Sequence, residues 1–262
     1  MSSRMKNAPV YFTIAQIRFN PILSLQSFVP GIQESFRKHG FADFKKALTM
    51  TLAVTVNKDS ASQAPTPTPL ERFIFSDIAN TQNFVLEQNA ISFQSTKYEV
   101  FETFTAELMK GLHVVNDRVG GLTFVERVGL RYLDAVMPRQ GENLSQYLIP
   151  EAMGLYGRLK GQTKHTFSET LAENPGASMV SRVVIQEGRI GFPPDLLLNQ
   201  LNIAQKFANF TGIHAILDTD AFVAERIPYG ATEIEKRLGA LHERINEAFR
   251  ALVSPHALAV WN

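Results

Sequence analysis

The sequence predicts an α+β protein of two packed subdomains, each a mainly antiparallel sheet covered by amphipathic helices. Three observations predict this class. Strand-like segments follow one another in runs, without the strict strand–helix alternation of a doubly wound fold. Longer segments place apolar residues at spacings of three and four, which is typical of helices that bury one face. A polar stretch with Pro and Gly at 138–146 marks a boundary, so the subdomains are expected at 1–137 and 138–262.

The N-terminal subdomain is predicted to follow the order β-α-β-β-β-α-β. An apolar stripe from Leu25 to Phe36 predicts the first helix, with Pro30 near its start. A second stripe predicts a helix at 99–112. Residues 60–70, rich in Ser, Thr and Pro, break every pattern and predict a solvated loop. Segments rich in β-branched and aromatic residues predict the strands, at 10–20, 49–57, 71–77, 83–96 and 123–136.

The C-terminal subdomain is predicted to contain a hairpin, a buried strand and a long helix. The hairpin joins 164–173 to 178–187 through the turn "NPGA", and the buried strand covers 212–220. Residues 196–207 fit a short helix or a covered loop. The helix at 232–253 has the clearest apolar stripe, and Thr232 with Glu235 predicts a capping box at its start.

Composition excludes several classes of protein. The chain has 262 residues, 45% of them hydrophobic and 19% charged, which predicts a folded core. It has no cysteine, which excludes disulfide scaffolds, thiolate zinc sites and thiol catalysis. No apolar run suits a signal peptide or a membrane span, so a cytoplasmic protein without membrane contact is expected. The net charge of +1 gives no broad electrostatic footprint for nucleic acid.

The predicted strand at 123–136 is unusual because it places two arginines around a glycine. Alternate residues of a strand share a face, so Val125, Arg127, Gly129, Arg131 and Leu133 are expected on one side. Val128, Leu130, Tyr132 and Val136 are expected on the other, with Glu126 and Asp134 near the ends. A glycine inside a strand indicates that backbone, a side chain or a ligand approaches closely.

The two arginines need carboxylates or a bound anion if they are buried. Asp218 and Asp220 share one side of a later strand, so we expect Arg127 and Arg131 to bond these aspartates across the subdomain interface. Two alternatives stay open. The arginines bind an anionic ligand, or they lie in solvent. The spacing of Asp218 and Asp220 also occurs in magnesium sites, but a turn or capping role is more common.

Several segments together resemble a known protein family. They are "APVYFTIAQIRFNP", "VERVGLRYLDAV", "HAILDTD" and "LHERINEAFRAL" with the following Trp261. The chain resembles a sporadically distributed prokaryotic family of about this length, which has no assigned activity. The resemblance spans nearly the whole chain. It implies an R-x-G-L-R-Y strand and a late D-x-D motif, here Arg127, Gly129, Leu130, Arg131, Tyr132, Asp218 and Asp220.

The motifs favour a non-catalytic binding or accessory protein acting in an assembly or homodimer. There is no P-loop, no nucleophile elbow and no dinucleotide fingerprint, and the six histidines form no metal-binding array, so neither a cofactor nor a metal is expected. The first alternative is a metal-assisted hydrolase or nucleotide-handling enzyme using Asp218, Asp220, Arg127 and Arg131. The second is a single-stranded nucleic-acid binder through 37–46, where basic residues surround Phe41 and Phe44.

Overall fold

The computed structural model describes residues 5–52, 67–174, 176–199 and 201–262. Within these residues, ten strands form one antiparallel sheet, in the order β2-β3-β4-β5-β1-β6-β9-β8-β7, and the short β10 pairs with β6. The α+β class is thereby confirmed. The strands are β1 Val10–Phe19, β2 Asp43–Leu52, β3 Pro67–Ser76, β4 Gln82–Glu87, β5 Ala90–Ser95, β6 Phe124–Val136, β7 His165–Asn174, β8 Ala177–Arg189, β9 Thr211–Val223 and β10 Ile227–Pro228.

One face of the sheet, called here the helix face, is covered by three long helices. They are α1 Leu25–Lys38, α2 Phe101–Val119 and α6 Ala231–Leu252. Their apolar stripes pack on alternate residues of the central strands, and Phe36 stacks on Phe84 with ring centroids 4.6 Å apart. The shorter helices α3 Leu144–Tyr147, α4 Pro150–Met153 and α7 Pro255–Trp261 enclose a second cluster on this face, around Val136 and Leu217.

The opposite face, called here the open face, is crossed by one covering segment among the residues that the structure describes. Residues 190–199 and 201–210 cross it, with a 3-10 helix at Pro194–Asn199 and a short α5 at Gln205–Ala208. Their apolar side chains cover Phe12, Leu133 and Ile216. Residue Asn202 fixes the crossing segment, because its backbone N–H donates to the Asn80 carbonyl at 2.7 Å. On the same face Ile74, Val85 and Ser92 of β3 to β5 are also buried, while β6 to β9 carry charged side chains.

Several predicted element boundaries differ from the structure. The second strand, β2, begins at Asp43, so 43–48 belong to it, while 53–57 lie outside the described residues. Residues 60–66 of the predicted loop also lie outside the described residues. Its last four residues, 67–70, belong to β3, which begins at Pro67. Helix α1 begins at Leu25, five residues before Pro30. Residues 196–207 contain both a 3-10 helix and a short α-helix.

Two local predictions were wrong. The capping box fails because α6 begins at Ala231, with Gly230 as the N-cap and no side-chain cap hydrogen bond, so Thr232 is already in the first turn. The strand face predicted for Val125 is also wrong. A register shift between Arg18 and Phe19 pairs Phe19 with Val125, and Val125 packs in the core on the helix face. Such a shift reverses the direction of every side chain beyond it.

The sheet is continuous across the predicted subdomain boundary. Strand β6 ends at Val136, and nine residue pairs join it to β9 in antiparallel register. The division into subdomains at 1–137 and 138–262 stays a prediction. Backbone hydrogen bonds between β6 and β9 join the two predicted subdomains. None of the helices in the described ranges is long and apolar enough to cross a membrane.

Candidate functional site

Arg131 binds Asp218 through two parallel hydrogen bonds on the open face. Its Nε donates to Oδ1 at 2.6 Å and its Nη2 donates to Oδ2 at 2.7 Å. The register places Arg131 opposite Asp220, so the guanidinium reaches Asp218 diagonally across β9. Its Nη1 also lies 2.5 Å from Asp195 on the 3-10 helix. Burial lowers the pKa of Arg131, but hydrogen bonds to Asp218 and Asp195 outweigh burial and the net shift is upward.

The pair of Arg131 and Asp218 is part of a row of alternating charges across four strands. Arg182 on β8 has its Nη1 3.5 Å from Asp218 Oδ2, and its Nε donates to Glu169 on β7 at 2.6 Å. Asp218 is only 2% exposed, and both of its oxygens have cationic partners. A carboxylate bound in this way is compensated by its own protein and has little capacity left for a metal ion.

Arg127 and Gly129 form the second part of this face. The Arg127 guanidinium folds back over Gly129, where an added Cβ would lie 2.5 Å from its Nη1. It also lies over the Phe222 ring, 4.5 Å from the centroid, and its Nη1 donates to Gln16 at 3.3 Å. The glycine thus makes room for an arginine of its own strand.

Asp220 is a weaker partner of Arg127. The closest approach, Nη2 to Oδ2, is 3.9 Å, without a hydrogen bond. Burial raises the pKa of Asp220 more than Arg127 lowers it. Both side chains line a cavity of about 230 Å³. When it is ionised, the Asp220 carboxyl in the same cavity opposes the binding of an anion beside Arg127.

The basic segment 37–46 has carboxylate partners within the fold. Arg37 and Lys38 lie 2.8 and 3.4 Å from Glu34. Lys45 and Lys46 lie 3.0 and 2.8 Å from Asp43 and Glu71. The ring of Phe41 is buried against Phe36 and Phe84, so the segment presents Phe44 but not Phe41 to a base.

The described chain contains no group of three or more His, Asp or Glu side chains that could hold a metal ion. His214 is buried and His242 is half-buried, and burial lowers the pKa of each ring below its usual value. A neutral imidazole donates a hydrogen bond from one ring nitrogen and accepts one at the other. The neighbours of each ring therefore determine which nitrogen carries the proton.

A cavity of about 290 Å³ lies on the helix face, between β6, the start of α2 and the last turns of α6. Asp134 of β6 lines it and is 8% exposed. No hydrogen bond or ion pair joins the Asp134 carboxyl to another residue that the structure describes. Burial raises the pKa of Asp134 to about 7, and no cation opposes this shift. Asp134 is therefore a buried acid without a partner in the part of the chain that the structure describes.

A chain of hydrogen bonds forms the wall beside Asp134. The Asn246 Nδ2 lies 3.0 Å from His242 Nε2, and His242 Nδ1 lies 3.1 Å from the Tyr132 hydroxyl. The Tyr132 hydroxyl donates to the Tyr98 oxygen at 3.0 Å. With the amide nitrogen as donor, neutral His242 accepts at Nε2 and donates from Nδ1 to Tyr132. All hydrogen bonds then point the same way, and the Tyr98 hydroxyl at the end keeps its own proton.

Aromatic rings hold this chain in place. His242 stacks on Phe101 with centroids 4.2 Å apart and planes 3° from parallel. The rings of Tyr98 and Tyr132 meet at 85°, with centroids 5.2 Å apart. Burial, followed by the nearby charges of Glu102 and Asp134, raises the pKa of Tyr98 to about 12, against the opposing hydrogen bond from Tyr132. The phenols therefore stay protonated at neutral pH.

Asp134 and His242 were not expected at a site from the sequence, although the position of each in its pattern indicates one. Asp134 lies in the run "LRYLDAV", where its neighbours on the same face are core residues. His242 follows Leu238 by four and precedes Ile245 by three, so it lies within the apolar stripe of α6. Each is a polar residue at a core position, and such positions deserve a search for a site.

No family model matches the chain, and no curated protein matches it at a significant level. The resemblance to a sporadically distributed prokaryotic family therefore stays a prediction.

Proposed function

We propose that the protein is a non-catalytic binding protein that holds a small ligand in the cavity beside Asp134. It acts in the cytoplasm, as a homodimer or within a larger assembly. The observation that supports this proposal is the carboxyl of Asp134, which is buried, lines a cavity and has no partner within the described ranges. A buried polar group without a partner costs stability, and proteins retain such groups where a ligand completes the site.

Other candidate functions have less support from the geometry. A metal-assisted hydrolase or nucleotide-handling enzyme using Arg127, Arg131, Asp218 and Asp220 needs a carboxylate with free oxygens. Those of Asp218 are already bound by Arg131 and Arg182. Binding of single-stranded nucleic acid through 37–46 needs free cations and aromatic rings, but four cations there are paired and Phe41 is buried.

The homodimer is supported by the outer edge of β7. No residue of β7 has a backbone hydrogen bond on that edge to another part of the described chain. Phe167 and Leu171 are 54% and 59% exposed on the same face of this strand. The other edge strand, β2, exposes Lys45 and Lys46, and lysines protect a sheet edge against pairing.

A second copy is the partner that fits this edge. If a two-fold axis passes through Glu169, Phe167 lies opposite Leu171 of the partner subunit, and His165 lies opposite Glu173 of the partner subunit. Glu169 would meet its own copy, but its charge is already balanced by Arg182 at 2.6 Å. Antiparallel pairing of two β7 strands would thus extend the sheet across both subunits.

A ligand screen tests binding in the cavity. Asp134→Asn keeps the size of the side chain and removes its charge. We expect a small-molecule extract of the native cell to raise the melting temperature of the parent and not that of Asp134→Asn, because a ligand stabilises the state to which it binds. Glu235→Gln, which changes an exposed carboxyl on α6 outside the cavity and the β7 edge, is the control and should respond like the parent. Equal responses of the parent and Asp134→Asn would contradict the proposal.

A further inference from the structure

We infer that the cavity beside Asp134 binds the ammonium group of a small organic amine, with Asp134 as its counter-charge. This inference rests on the proposed function, because it assigns the ligand class of the same cavity. It follows from the signs of the charges that line the cavity, from the protonation of its histidine and from its aromatic wall.

The charges that line the cavity favour a cation. Among the described residues, the acidic Asp134 and Glu102 line it against one basic residue, Arg250, and Glu99, which also lines it, already interacts with another group. Arg250 lies in the last turn of α6 and is exposed. It forms no ion pair with Asp134 within 4.0 Å. An anionic ligand would have to approach the buried Asp134 carboxylate, which costs energy in a site of low dielectric constant.

The histidine of the wall adds no positive charge. Burial lowers the pKa of His242, and its two ring nitrogens are both used, by Asn246 and Tyr132. A neutral His242 leaves the negative charge of Asp134 uncompensated on that side. The Tyr98 oxygen accepts from Tyr132 and keeps a second lone pair. An ammonium group that donates to Asp134 therefore has a second acceptor in the same wall.

The remaining wall suits the apolar part of an amine. Phe101, Ile245 and Phe249 line the cavity together with the two tyrosines. Aromatic rings attract an ammonium ion through their faces, and the right-angled pair of Tyr98 and Tyr132 offers two rings at one corner. The cavity volume of about 290 Å³ is close to the lower end of the range for small-ligand sites. It therefore suits a ligand as small as a phenyl ring with an aminomethyl group.

Two probes of nearly equal shape test the charge of the ligand. Benzylammonium chloride and benzyl alcohol are titrated into the parent by calorimetry at about pH 8, where Asp134 is ionised. We expect benzylammonium to bind at least about tenfold more tightly than benzyl alcohol, the ratio that corresponds to one charge-assisted hydrogen bond. Asp134→Asn should lose this preference, and Glu235→Gln, at an exposed position of α6 outside the cavity, should keep it.

The outcomes separate the ligand class from the proposed function. Equal binding of both probes to the parent, weakened in Asp134→Asn, would overturn the ammonium assignment and leave a ligand site at Asp134. Benzylammonium binding that is unchanged in Asp134→Asn would overturn the assignment of Asp134 as counter-charge. No saturable binding of benzylammonium up to about 10 mM would also overturn the ammonium class. The extract experiment then decides whether a ligand of another class uses the cavity.

Discussion

At the scale of residues, the two arginines of β6, Arg127 and Arg131, are held by two different sets of contacts. Arg131 has a bidentate partner in Asp218 and a further carboxylate in Asp195. Arg127 instead lies over Gly129 and Phe222, with Asp220 at 3.9 Å. The sequence could predict that arginines and aspartates meet, since buried charges need partners. It could not predict the diagonal choice of Asp218, because that depends on the register of β6 and β9.

We expect a large coupling energy between Arg131 and Asp218. Arg131→Ala should reduce the free energy of unfolding by about 3–5 kcal/mol, because it leaves Asp218 buried with Arg182 as its remaining partner at 3.5 Å. Arg131→Ala combined with Asp218→Ala should recover part of the loss. We expect a coupling energy above about 1 kcal/mol from chemical denaturation of all four proteins.

The Arg127–Asp220 pair is the matched control for this cycle. It joins the same two strands but has a 3.9 Å separation and no hydrogen bond, so its coupling should be clearly smaller. A coupling between Arg131 and Asp218 no larger than that between Arg127 and Asp220 would show that the hydrogen-bonded geometry does not determine the energy of this row.

At the scale of elements, periodicity predicted most helices and strands because it depends on which face is buried. The stripe of α6 is a clear case, since Ile234, Leu238, Leu241 and Ile245 are all buried. Its start was predicted wrongly, because the chain direction after β10 places Gly230 at the N-cap. The extent of β2 was missed because its exposed residues 43–48 lack strict alternation, and its pairing with β3 determines the strand.

We expect the protein to form a dimer through the edge of β7, and one charge added to this edge should dissociate the dimer. Leu171→Lys places an ammonium group opposite Phe167 of the partner subunit, so it should convert a dimer to a monomer in light scattering after gel filtration. Leu48→Lys is the matched control, because Leu48 is a 68% exposed leucine on the other edge strand, β2. This control should stay dimeric. A monomeric parent, or a dimer that only Leu48→Lys dissociates, would refute pairing through β7.

At the scale of the whole molecule, the sheet determines where polar groups meet. β6 lies between β1 and β9 in the sheet. Alternate side chains of β6 point to opposite faces, so this strand contributes to one site on each face. The charged row on the open face combines residues from β6 to β9 and the 3-10 helix. The cavity on the helix face combines β6 with helices that lie more than a hundred residues apart in the chain. The strand order and the helix packing create this proximity, and neither can be derived from local patterns.

Asp134 is a buried acid that no other described residue of the protein binds. Its pKa is raised in the folded state to about 7, from 3.8 in an exposed aspartate. The folded protein therefore keeps a proton that the unfolded chain releases between these values. Asp134 then favours the folded state below about pH 4, and this contribution is lost as the pH rises to about 7. Tyr98, Glu99, Glu102, His242 and Arg250 also face the cavity, so the comparison needs a variant that alters Asp134 alone.

The most direct measurement is the free energy of unfolding of the parent and of Asp134→Asn over pH 4 to 8. Asparagine does not titrate, so the stability of the variant relative to the parent should rise from about pH 4 and level off above about pH 7. The total rise is expected to be up to about 4 kcal/mol, since one pKa unit corresponds to about 1.4 kcal/mol. A difference that does not change with pH, or a parent that gains stability over the variant as the pH rises, would contradict the account. Either result would mean that the folded protein already holds a partner for the Asp134 carboxylate.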